Sequence, residues 1–220
     1  MTIRHHPDAS LLLDYATGAL TEGWSLAIAT HLALCPECRR SVAALEAVGG
    51  SLVLDGTAPP AETDPDFLEI LSRLNAIGPD ETAFPHAPPV TGRPILPEPL
   101  RRYAGGDASE LKWQRLGLGA YKCGIPLRPT KEVAWLLRIP AGRPVPMHSH
   151  RGLELTLVLA GAFDDETGHY GRGDLQQADQ MLEHRPHATA EADCICLAVT
   201  DAPLRFSSVA ARLVQPFLGI

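Results

Sequence analysis

Apolar positions recur at helical intervals through the first third of the chain and give way to short strand-like runs after residue 100. Leu11, Leu12, Tyr15 and Leu20 mark a first helix, and Trp24, Ile28 and Leu32 a second, opened by Thr21 as a cap. Val42, Leu45 and Val48 mark a third, which Gly49-Gly50 is expected to close. Further on, Phe67, Leu68, Leu71, Leu74 and Ile77 share one face of a fourth helix, with Asp64 able to cap it and Pro65 suited to its first turn. Pro59-Pro60 and Gly78-Pro79 set this helix apart. Its apolar face therefore reads as a helix-in-groove contact for another protein, the competing reading being an ordinary core helix of the same bundle.

Downstream, the runs 132–139, 154–159 and 194–200 are rich in β-formers and are separated by turns of Gly, Asp and Pro. Between them and the helices lie Pro79, Pro85, Pro88, Pro89, Pro94, Pro97 and Pro99, which oppose regular structure and stiffen a spacer. These patterns predict an α + β chain of two domains. Residues 1–85 would form a helical bundle of three helices plus a fourth, 86–100 a Pro-rich linker, and 101–220 an antiparallel β domain. The tail from Arg212 is apolar enough to pack on that β domain.

Two constellations carry chemistry. In the first, His31, Cys35 and Cys38 stand four and three residues apart, which places His and Cys on one helical face and the second Cys just beyond a turn. Pro36 sits where a new helix can begin. A closed structural zinc site needs a fourth donor, and His5 or His6 can supply it if the chain start folds back. In the second, His148, His150 and Glu154 fall two and four residues apart, on one face of an extended strand. The apolar run 153–159 makes that strand a buried one, and a carboxylate there needs a cation or a partner.

Net charge is −7, with 19 basic and 26 acidic residues and no basic stripe, so direct binding to nucleic acid is not expected. An acidic protein can instead occupy a basic partner that binds DNA. No apolar run approaches a membrane span, and the chain start lacks the apolar core of a signal peptide, so the expected location is the cytoplasm. The remaining cysteines, Cys123, Cys194 and Cys196, read as small buried thiols in such a compartment.

The run from Gly142 through His148, His150 and Glu154 to Gly161 resembles the first signature of the cupin superfamily at every fixed position. This resemblance implies a cupin-type antiparallel β-barrel and a fourth metal donor from a second motif. His184 is preferred to His187 for that role by its strand context, although the customary Pro-x-Gly and terminal Asn of the motif are absent. The earlier constellation resembles the zinc-binding anti-sigma domain, which implies His6, His31, Cys35 and Cys38 as ligands. Both motifs, in this order, resemble the ChrR-type anti-sigma factors over nearly the whole chain.

That resemblance implies a non-enzymatic regulator. The N-terminal domain would sequester an extracytoplasmic-function sigma factor and repress its transcription. Release would follow singlet oxygen, through the cupin-like domain and through proteases that degrade the anti-sigma factor. Zinc is expected in the N-terminal domain, and zinc, alternatively Fe or Mn, in the cupin-like domain. The competing reading is a cupin-type metal-dependent dioxygenase.

Overall fold

The computed structural model describes residues 2–56, 65–76, 94–117, 119–129 and 131–206. The expected cap Asp64, Ile77, the prolines from Pro79 to Pro89 and the tail from Arg212 lie outside the described residues. Helices α1 (Ala9–Ala16), α2 (Glu22–Leu34), α3 (Pro36–Asp55), α4 (Pro65–Ala76) and α5 (Glu98–Ala104) come first. The strands follow: β1 (Gln114–Gly117), β2 (Ala120–Ile125), β3 (Val133–Ile139), β4 (His148–Ser149), β5 (Glu154–Ala160) and β6 (Ala162–Asp165). After them come β7 (Gly168–Gly171), β8 (Leu175–Ala178), β9 (Glu183–His184), β10 (His187–Ala188), β11 (Cys194–Thr200) and β12 (Arg205–Phe206).

Local chemistry explains most helix ends. Asp8 caps α1 by accepting the Leu11 N–H at 2.8 Å. Thr21 precedes α2 as expected, yet its hydroxyl donates to Glu132 at 2.8 Å instead of serving the helix. The expected stop at Gly49-Gly50 does not occur. Neither glycine adopts the left-handed conformation that would end the helix, and α3 continues to Asp55. A helix also arises where an irregular linker was expected: α5 starts after Pro97, with Pro99 in its first turn, and Leu96 and Leu100 are fully buried.

The strands are antiparallel throughout. A six-stranded sheet runs β1-β2-β3-β11-β5-β8, and two three-stranded sheets run β10-β6-β7 and β12-β4-β9. Strand β11 is buried at every position because it is hydrogen-bonded on both edges and covered on both faces. This is the expected cupin-type barrel.

The chain gathers into two compact units, residues 1–46 with 94–220, and residues 47–93. Helices α1 and α2 and the start of α3 thus pack in one unit with the strands. Leu26 and Ile28 of α2 belong to one apolar core with Leu157 of β5 and Leu197 of β11. The reason lies in α2, whose apolar residues surround the helix and demand burial on both sides. The second unit is different in kind. Leu52, Val53 and Leu54 at the end of α3, and Phe67, Leu68 and Leu74 of α4, are all more than half exposed.

One turn carries a stringent steric demand. Gly161 joins β5 to β6 with φ 63°, and a Cβ there would collide with the Asp193 carbonyl. Gly161→Ala should cost about 3 kcal/mol and lower the melting temperature by roughly 6–12 °C, measured by circular dichroism on the purified chain.

Candidate metal centres

The first cluster forms where α2 ends and α3 begins. His31 lies in the last turn of α2, and Cys35 leaves the helix in an extended conformation while its N–H still reaches the His31 carbonyl at 2.8 Å. Pro36 opens α3 and brings Cys38 into the first turn, where its N–H donates to Cys35 Sγ at 3.4 Å. The positive end of α3 thus faces both sulfurs. His6 arrives from the extended segment before α1, with Nδ1 3.4 Å from Cys35 Sγ and 3.3 Å from Cys38 Sγ. His31 Nε2 lies 3.3 Å from Cys38 Sγ.

These separations match a metal's requirements. In a tetrahedral zinc site with bonds of about 2.3 Å to sulfur and about 2.05 Å to nitrogen, adjacent ligands stand roughly 3.5 Å apart. The cluster fits a zinc site. Burial pushes the His31 ring down to about 4, so it is a neutral donor at ordinary pH. The Gly173 backbone opposes that shift in part, without a hydrogen bond of ordinary geometry to Nδ1. Burial and the neighbouring Cys35 push the Cys38 thiol up to about 12, and a divalent cation is what would favour its thiolate. His6 Nε2 points toward Glu37 at 3.8 Å, which suits an outer carboxylate on a ligating ring. His5, the alternative donor, instead stacks on Tyr170 with ring centroids 4.2 Å apart.

The second cluster lies inside the barrel. Strands β4 and β9 pair so that His148 faces His184 directly, and their Nε2 atoms are 3.1 Å apart. His150, just past β4, places its Nε2 3.1 Å from that of His184. Three ring nitrogens bound to one zinc would stand roughly 3.3 Å apart. Outer contacts orient two of the rings: His148 Nδ1 lies 2.8 Å from the Pro146 carbonyl, and His184 Nδ1 2.7 Å from Asp165 Oδ2. Burial holds His148 at about 4 and His150 at about 3, so both are neutral donors. Glu154 is not gathered with the three rings. Its carboxylate accepts from the Thr156 hydroxyl at 3.0 Å and stands 3.8 Å from Nδ1 of His150, on the far side of that ring. Its burial raises its pKa, against the hydrogen bond from Thr156. His187 is exposed on β10, paired in register with Asp164, and stands apart from the cluster.

The profile of the ChrR cupin-like domain family matches residues 104–203. The whole chain is 49% identical over 220 residues to the anti-sigma-E factor ChrR of Cereibacter sphaeroides, covering all of both proteins. This chain belongs to the ChrR family. The crystal structure of Rhodobacter sphaeroides SigE in complex with the anti-sigma ChrR superposes with a TM-score of 0.77 at 45% identity, over 90% of this chain and 99% of that one. The family relationship thus spans both clusters and the helices between them, as the order of motifs implied.

Among the residues that serve the clusters, Asp165 was not legible in the sequence. It lies at the end of β6 with its side chain inaccessible to solvent, where Asp-Asp-Glu-Thr-Gly reads only as a hairpin turn. Burial opposes its ionisation, but hydrogen bonds from His184, Thr167 and Gln176 outweigh that and hold its carboxyl well below the usual carboxylate range. An ionised Asp165 fixes the proton of His184 on Nδ1 and leaves Nε2 as the donor. Asp165→Asn should weaken metal binding at the barrel cluster by about tenfold, measured by competition with a calibrated chelator.

Proposed function

We propose that this chain is an anti-sigma factor that sequesters an extracytoplasmic-function sigma factor and releases it in response to singlet oxygen. The observation that carries the reading is the full-length identity of 49% to an anti-sigma factor, with both donor clusters in place. Kinship along the whole chain favours a regulator over the dioxygenase alternative. A functional division at the expected boundaries goes with this reading: residues 1–85 hold the sigma factor, 101–220 sense, and the Pro-rich stretch connects them.

Several features support it. The exposed apolar residues of α4 and the end of α3, Phe67, Leu71, Leu74, Leu52 and Leu54 among them, offer surface that a partner protein can bury. An acidic chain suits a partner that itself binds DNA and polymerase, and it disfavours direct contact with nucleic acid. Among the described residues no helix is long and apolar enough to cross a membrane, and the action proposed is cytoplasmic.

In this reading His6, His31, Cys35 and Cys38 hold a structural zinc, which keeps the ends of α2 and α3 and the chain start together. His148, His150 and His184 hold the second metal, which we take to be zinc in preference to Fe or Mn. Glu154, one ring away beside Nδ1 of His150, is the carboxylate that balances the cation's charge from outside the donor set. A metal of this kind supplies a fixed point that joins β4, β9 and the residues after them. In this reading the barrel that His148, His150 and His184 hold together responds to singlet oxygen, and proteases then remove the anti-sigma factor.

Two experiments test the proposal. Cys35→Ala should lose the N-terminal metal and weaken sigma binding by at least about a hundredfold, because metal binding is coupled to the local fold that joins the chain start to α2 and α3. Isothermal titration with the purified sigma factor reads this, and undiminished affinity in the metal-free variant would count against the assignment. His148→Ala and His150→Ala should repress a sigma-dependent reporter as the wild type does, yet respond little to light with a photosensitiser. A normal response in both variants rejects the barrel as the sensor.

A further inference from the structure

His6 is the one donor of the first cluster that lies away from the junction of α2 and α3, and its segment is held from the barrel. The extended segment around it is bound on both sides of His6. Asp174, in the turn between β7 and β8, accepts the N–H groups of Arg4 and His5 at Oδ1, at 2.6 and 2.9 Å, and that of Gly171 at Oδ2, at 2.8 Å. Leu175 donates its N–H to the His5 carbonyl at 3.1 Å. Beyond His6, the Asp8 N–H donates to Gln177 Oε1 at 2.8 Å, and Gln177 Nε2 donates back to the Asp8 carboxylate at 2.9 Å. Ile3 sits so close over Gly173 that a Cβ there would come within 2.6 Å of it.

A segment tied this way has no freedom to swing its histidine. Asp174 is nearly buried and spends its carboxylate on three backbone donors, an arrangement that a surface turn has no need of. Strand β8, which follows Asp174 directly, also reaches the other cluster. Gln176 of β8 donates to Asp165 at 2.7 Å, and Asp165 is the partner of His184.

We propose that Asp174 is a positioning residue for the N-terminal metal site, presetting His6 opposite Cys35 and Cys38 by holding the backbone of Arg4 and His5. The barrel is then part of that site's support. Through Asp174, just before β8, and Gln176 within it, two residues apart, one short segment bears on a ligand of each cluster, so a displacement of β8 at the barrel cluster is felt by His6. This rests on the reading of His6, His31, Cys35 and Cys38 as a metal site.

The test uses the full chain loaded with cobalt(II). Among the described residues only the first cluster combines thiolates with histidines, so thiolate-to-cobalt charge-transfer absorbance follows that site alone. EDTA should strip this signal about tenfold faster from Asp174→Ala than from the wild type. Asp174→Asn keeps an oxygen for Arg4 and His5, and it should release cobalt at a rate between the two. Rates equal to wild type in the folded variants overturn the proposal, as does an equal acceleration of metal loss from the barrel histidines, which would mark general loosening. If Asp174→Ala fails to fold, Asp174→Asn alone decides by the same criteria. A wild-type chain that never develops the charge-transfer band would instead sink the metal-site reading itself.

Discussion

The burial of α2 on every side is the interaction on which the rest of the structure depends. A helix with an apolar stripe needs one neighbour, whereas a helix apolar all round needs a core that encloses it. Here Ala27 and Ile28 are wholly inaccessible, and α2 meets α1, α5 and the strands β5 and β11. Gly23 permits that closeness, since a Cβ there would stand 3.1 Å from Val199 and 3.0 Å from the Glu132 side chain. Because α2 is fixed to the barrel, its C-terminal end, with His31 and Cys35, is fixed as well.

Both clusters follow one physical rule, which is that donor groups are dehydrated before a cation meets them. Burial keeps the imidazoles of His31, His148 and His150 neutral and therefore ready as ligands. The clusters differ in what orients the rings. In the first, the helix ends and the threaded chain start do so, with Glu37 outside. In the second, strand pairing places His148 against His184, and the hydrogen bond from His184 to Asp165 aims the ring. Burying a carboxylate in such a setting is costly, which accounts for the raised pKa of Glu154 and for the several donors gathered around Asp165.

The exposed faces of α4 and the last turns of α3 stand in contrast to this economy of burial. So many apolar side chains left in water on two helices is unusual for a chain that otherwise buries its apolar residues thoroughly. In the function proposed above, that apolar surface is kept for the sigma factor.

The sequence by itself determined the main helices and strands, though not α5 or the end of α3, and the donor types, because these are set by short-range geometry. Spacings of four and three residues around a helix end define His31, Cys35 and Cys38, and the two-residue period of an extended chain defines His148 and His150. Strand runs were legible to within a residue for the same reason. Only the tertiary structure decided what lies far apart along the chain: that His6 rather than His5 joins the thiols, that Glu154 turns to the outer side of His150, and that Asp165 and Asp174 support the histidines. It also decided that residues 1–46 pack with the barrel and not apart from it. Periodicity reports which face of an element is apolar but not how many neighbours it will have. A hydrogen bond between Arg4 and Asp174, 170 residues apart, leaves no trace in any local pattern.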